Sequence, residues 1–224
     1  HLAAMTITFL ITLQFGAPHF SADWLQYAAN LTMLAPLFGQ NFLDGAYWSI
    51  VLELFFYAWV FLFLALGLFE KHCTRIVLVW LAIALFNEHL FHIKAIRVIF
   101  LTEFAGFFSA GILMYRWRAG LADLATLLLL ALSLGVSIRT SLNLLPVIEQ
   151  VYQTAFSGVL TAVLVTLLFA ILYAATSPRP PRISPRILLP LGAISYPLYL
   201  LHQHIGYMAF NSLAGSMSGL AAML

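Results

Sequence analysis

The chain has 224 residues, of which 63% are hydrophobic, 15% aromatic and only 8% charged, with a formal net charge of +2. Soluble domains carry about 25% charged residues, so a water-solvated globule is excluded, and a disordered chain would be polar and poor in aromatics. Ten scattered Lys and Arg residues and a single cysteine, Cys73, exclude a nucleic-acid surface, a disulfide framework and a multi-cysteine metal site.

A bilayer core about 30 Å thick needs about 20 mostly apolar residues per helix. Seven stretches meet or approach that length: Leu2–Phe15, then 46–69, 76–93, 98–115, 121–138, 155–175 and 187–213. The runs are continuous and lack the alternation of a membrane barrel. The expected fold is therefore all-α: a polytopic transmembrane helix bundle of about seven membrane segments, forming one domain over 1–224. The chain opens at His1 without a basic region before its first apolar run, so no signal peptide is read. The expectation is a domain incomplete at both ends.

The connection 16–45 has no Lys or Arg. Within it Trp24, Tyr27, Ala28, Leu31 and Leu34 fall on one helical face, with Ser21 or Asp23 as a cap. This predicts a short helix lying along the membrane interface. The segment 46–69 then carries Glu53, and a charge inside a membrane helix costs roughly 2.5–3.5 kcal/mol on insertion scales. Ser49 and Tyr57 lie four residues to either side and share its face. Glu53 either is a structural carboxylate bonded to a neighbouring helix or lines a polar cavity.

Glu88, His89 and His92 are zinc-ligand types, but they sit at an expected membrane edge, and no metal site is assigned. Glu103 and Asp123 each fall within a turn of an expected helix start, where an acid favours the helix dipole. Trp48, Trp117, Tyr115 and Tyr152 fit an interfacial belt. A second outer loop is expected at 139–154. The turn TSPRPPR, 176–182, is basic and proline-rich, ending a helix near anionic headgroups. In the last segment Ser195, Tyr199 and His202 share a face and Pro197 opens the backbone ladder. His204 falls about 200° from His202 in an ideal helix, so the pair is a poor metal site and His204 is expected to tolerate substitution. His202 is expected to meet another polar side chain in a cavity, because isolated polar groups in hydrocarbon go unsatisfied.

Loops on the side of residue 1 carry Lys71, Arg75, Arg116, Arg118, Arg179, Arg182 and Arg186, against Lys94, Arg97 and Arg139 on the other. The excess places residue 1 on the cytoplasmic side of a cell membrane. There is no internal repeat, GxSxG elbow, P-loop or GxGxxG, and no lysine inside a helix to hold a Schiff base.

The strings NFLDGAYWSIVLELFFY (41–57), EFAGFFSAGILMYR (103–116) and ISYPLYLLHQHIGY (194–207) resemble the membrane-bound acyltransferase 3 family, over 24–207. The resemblance implies ten membrane helices, of which the segments here correspond to the third through ninth, in the orientation given by the Lys and Arg count. It implies acyl transfer, usually of acetyl, from cytoplasmic acyl-CoA to a hydroxyl of a cell-surface or exported carbohydrate, with no bound cofactor. The family's catalytic histidine, on its first helix, and the arginines important for the donor have no counterpart here. Catalytic residues are therefore unassigned, and Trp48, Ser49, Glu53, Tyr57, Ser195, Tyr199 and His202 are expected to line the substrate pocket. A transporter or flippase of lipid-linked sugar is the alternative reading of the same polar faces.

Overall fold

The computed structural model describes residues 1–16, 20–178 and 184–214, and every regular element among them is helical. The α-helices are α1 (Leu2–Phe15), α2 (Trp24–Leu31), α3 (Trp48–Ala65), α4 (Leu68–Phe86), α5 (Lys94–Phe100), α6 (Ala105–Arg118), α7 (Leu124–Tyr152), α8 (Gly158–Ala175) and α9 (Pro185–Ala214). Among the described residues, five stretches are long and apolar enough to cross a membrane: Gly45–Ala65, Leu68–Phe91, Lys94–Arg118, Leu124–Tyr152 and Gly158–Ala175. α1 is shorter, at 14 residues. α9 has the length but contains Pro190 and Pro197 together with polar Ser195, His202, Gln203 and His204. The protein is a polytopic helical membrane protein. Arg179 and Arg182 of the expected basic turn lie outside the described residues.

The chain divides into two compact units, one of His1–Leu54 with Ile183–Leu224 and the other Phe55–Arg182. In the first, α1 packs on α9 and on the segment leading into α3, burying Met5, Phe9, Leu43, Tyr47 and Leu200. α2 begins at Asp23, whose carboxylate accepts the Gln26 N–H at 2.7 Å, the cap the sequence offers. Its Trp24 and Leu31 are exposed while Ala29 and Asn30 are buried. Asn30 ties down the stretch before α3: its Oδ1 accepts from Leu43 N–H at 3.1 Å and its Nδ2 donates to Asn41 O at 3.0 Å.

In the second unit, α6 and α7 approach closely through small residues. A Cβ on Gly106 would lie 2.8 Å from Ser133 O, and Ser109, Ala110, Ser133 and Ser137 are buried beside it. Lipid tails are as apolar as leucine, so helices in a bilayer gain from close contact of this kind rather than from hydrophobic sorting. α8 adds Val165 and Phe169 against Ala110 and Met114.

Several segment boundaries differ from the sequence reading. The expected span 46–69 stops at Gly67, whose φ of +64 ends one helix and starts the next. The expected outer loop 139–154 is mostly helix, because α7 runs unbroken to Tyr152 through Pro146. Arg139 consequently sits within a helix. At about 1.5 Å per residue α7 is roughly 43 Å long and outreaches the hydrocarbon core. The expected span 98–115 is broken at Leu101, with φ +50. The carbonyls freed at the end of α5 are not left bare: Trp59 Nε1 donates to Ile99 O at 2.7 Å and Trp80 Nε1 donates to Phe100 O. Non-helical backbone at membrane depth persists where protein groups satisfy it.

The corner joining α4 to α5 is closed by a polar knot. α4 passes into a π-helical turn, Asn87–Phe91, ending at His92 in the left-handed region. Glu88 takes Arg97 at 3.0 and 3.3 Å and also accepts from Thr102 Oγ1 and Asn87 Nδ2, while Arg97 reaches Glu103 at 3.4 Å. Glu88 is therefore committed to an ion pair, while His89 and His92 are exposed.

Candidate functional site

The polar cluster of the first unit is built where the chain enters α3. Asp44, fully buried, opens a 3-10 turn, Gly45–Tyr47, by accepting the Ala46 N–H at 2.9 Å. Its second oxygen accepts the backbone N–H of His204 in α9 at 3.1 Å. The Gly45 N–H donates to Nδ1 of His204 at 3.2 Å. A ring nitrogen that accepts is unprotonated, so His204 is neutral, with its proton on Nε2. Asp44 Oδ2 is 3.8 Å from that Nδ1, beyond a hydrogen bond. The edge of Phe20 covers the ring, with centroids 4.8 Å apart.

One turn along α9, Tyr199 Oη donates to Ser49 Oγ at 2.8 Å and lies 3.2 Å from Ala46 O. Ser49 Oγ donates in turn to Ala46 O at 3.1 Å. Each hydroxyl has one proton, so the shorter Tyr199–Ser49 contact and the Ser49–Ala46 contact form a directed chain. This chain joins two motif strings that stand 150 positions apart. His202 sits on the exposed side, its Nδ1 2.7 Å from Tyr199 O and its ring 5.6 Å from that of Tyr199. A carbonyl can only accept, so Nδ1 carries a proton and donates it to Tyr199 O. The two histidines of one helix thus use Nδ1 in opposite roles, as donor in His202 and as acceptor in His204, each set by a backbone group.

Of the residues singled out from sequence, the structure brings Ser49, Tyr199 and His202 into one group. Ser195 is exposed and donates to Gly192 O of its own helix at 2.9 Å. Glu53 is half-buried one turn beyond Ser49 and makes no hydrogen bond or ion pair among the described residues. Trp48 and Tyr57 are exposed, and Tyr57 belongs to the second unit. The expectations for the two α9 histidines are reversed. His202 meets a main-chain carbonyl instead of a polar side chain, whereas His204 faces Asp44 and Gly45. The 200° separation was sound, but Asp44 and Gly45 lie on the side of α9 that the sequence reading left apolar.

Asp44 itself was missed. Its signal is an acid directly before the expected start of a membrane segment, the position of an N-cap, hidden by the Gly that follows it, which reads as loop. Also missed were the buried hydroxyls of Thr8, Thr12 and Tyr47, of which Thr8 and Tyr47 face each other.

No family model, no curated protein and no solved structure matches the chain.

Proposed function

We propose that the chain is the membrane part of an O-acyltransferase, moving an acyl group, an acetyl group first of all, from acyl-CoA to a hydroxyl of a cell-surface or exported carbohydrate. One observation carries the reading. The strings W-S-x-x-x-E-x-x-F-Y and S-Y-x-L-Y-L-x-H, which bear the resemblance to the acyltransferase 3 family, meet through the Tyr199–Ser49 hydrogen bond. Acyl transfer to a hydroxyl needs a base for the departing proton and fixed dipoles around the acceptor. His202 is exposed and its Nδ1 donates to the Tyr199 carbonyl, which leaves Nε2 as the ring nitrogen to take up such a proton. The main-chain carbonyl of Tyr199 orients the His202 ring, and Glu53, without a partner among the described residues, is available to an acceptor hydroxyl. These groups support a reaction whose principal catalytic residue lies outside them. Residue 1 faces the cytoplasm in this reading, where acyl-CoA is found.

The test is acyl transfer in membranes from cells expressing the longest reading frame that contains this chain, given acetyl-labelled acetyl-CoA. Label should pass to carbohydrate, and Glu53→Gln should lower the transfer at least tenfold at unchanged membrane yield. Movement of a lipid-linked sugar across vesicles without any transfer of label would replace the enzyme by a transporter. Loss of yield in parallel with activity would return Glu53 to a structural role. A reporter after Arg118 should be cytoplasmic and one at Phe20 exported.

A further inference from the structure

The second unit contains a cleft of about 430 Å³ that the cluster above does not use. Its walls come from α3, α4 and α5, and they are aromatic: Trp59 stacks on Phe100 with centroids 5.2 Å apart, and Phe56 on Trp80 at 6.2 Å. Both indole N–H groups are already spent on the carbonyls of Ile99 and Phe100, so these walls offer a ligand hydrocarbon contact and little else. The polar lining is confined to one end, where the first turns of α4 contribute His72 and Arg75. Arg75 is exposed and has no hydrogen bond or ion pair among the described residues. Lys71 and Glu70 lie just before it, in the first turn of α4. His72 departs from helical geometry, with φ −128 and ψ 19, so the helix is locally unwound at the mouth.

An apolar slot at the end of a membrane span, with a cation at its mouth, matches an amphiphile with one hydrocarbon tail inside and an anionic head outside. From Arg75 to Ile83 the slot follows α4 for about 12 Å at 1.5 Å per residue, a stretch that accepts part of a single acyl chain. A zwitterionic headgroup brings its own ammonium to Arg75 and Lys71, whereas an anionic one does not. We propose that this cleft is a binding site for an anionic phospholipid, with an acyl chain against Trp59 and Trp80 and the phosphate at Arg75 and His72.

Two of the five tryptophans line the slot, so the site is read by fluorescence in a background with Trp24, Trp48 and Trp117 replaced by Phe. The chain is reconstituted in bilayers of phosphatidylcholine containing increasing fractions of either phosphatidylglycerol or phosphatidylcholine with brominated acyl chains, which quench nearby indoles. Brominated phosphatidylglycerol should reach half-quenching at a severalfold lower fraction, since each basic group near a membrane surface is worth about fivefold in affinity for anionic lipid. Arg75→Gln should erase most of that preference while both lipids still quench, and Arg75→Lys should keep it. Equal quenching by the two lipids in the parent protein, or a preference that survives in Arg75→Gln, overturns the proposal. Circular dichroism separates these outcomes from misfolding, and the Arg75→Lys result holds the inference open to refutation if Arg75→Gln does not fold.

Discussion

Each unit has a carboxylate drawn into its interior, and the two are satisfied in opposite ways. Glu88, in the second unit, is held by side chains: a guanidinium, a hydroxyl and an amide converge on it. Asp44, in the first, is held by backbone N–H groups of Ala46 and His204. A carboxylate saturated by side chains closes a corner and leaves nothing over for a ligand. One that caps a turn and pins a helix backbone fixes geometry while leaving the neighbouring side chains, Tyr199, Ser49 and His202, uncommitted to it. The comparison teaches that a buried charge in a membrane protein is a pointer to function only when the groups around it retain bonding capacity.

The largest effect that would break the contrast is at Asp44. Asp44→Ala strands two buried N–H groups and should cost about 3 kcal/mol, read as a large fall in the thermal midpoint of the detergent-solubilised protein. A midpoint within a degree of the parent would show that the carboxylate does not hold the cluster. Glu88→Gln should cost less, about 1 kcal/mol, because the amide keeps neutral hydrogen bonds and Arg97 is 35% exposed to solvent. If Glu88→Gln proves the more damaging of the two, the ranking of the two carboxylates is inverted.

A smaller pair sharpens the distinction between the histidines. His204→Ala removes the acceptor of the Gly45 N–H and should lower stability by about 1 kcal/mol. His202→Ala, at an exposed position, should change stability by no more than about 0.5 kcal/mol yet impair acyl transfer. Equal stability effects would mean that the two rings are in equivalent surroundings. Tyr199→Phe should behave like His202→Ala, since the ring packing stays and only the bond to Ser49 is lost.

The smallest effect is expected at Asp123, which caps α7 and accepts from the Thr126 hydroxyl and N–H. These hydrogen bonds hold its carboxyl below the usual carboxylate range. A depressed folded value means that the stabilisation is present above the unfolded carboxylate range and fades as pH falls through the lower, folded one. The parent should therefore lose its small advantage over Asp123→Ala in acid, as followed by the difference in their thermal midpoints between neutral and acidic buffer. A difference independent of pH would remove the charge from the account.

Much of the fold was legible because a bilayer allows few solutions. Continuous apolar runs dictate helices, and α1 has the bounds its composition gives it. Asp23, one of two candidate caps, caps α2, and Asp123, expected near a helix start, caps α7. What escaped were features with no local signal. Leu101 takes a positive φ where two indoles meet the freed carbonyls of Ile99 and Phe100, and those indoles lie 40 and 20 positions away. The helix through 139–152 was hidden by polar residues and Pro146, which a helix tolerates when it extends past the hydrocarbon.

The candidate site divides in the same way. The sequence by itself marked Ser49, Glu53, Tyr199 and His202, because hydroxyls, a carboxylate and an imidazole inside apolar helices are costly enough to be conspicuous. It could not decide which of them meet, nor that Nδ1 of His204 accepts a hydrogen bond. Those followed from tertiary structure: Tyr199 found Ser49, His204 found Gly45, and Asp44 turned from a loop residue into the anchor of α9. Side-chain periodicity shows which face of a helix a residue occupies, but only the packed chain sets what stands opposite that face.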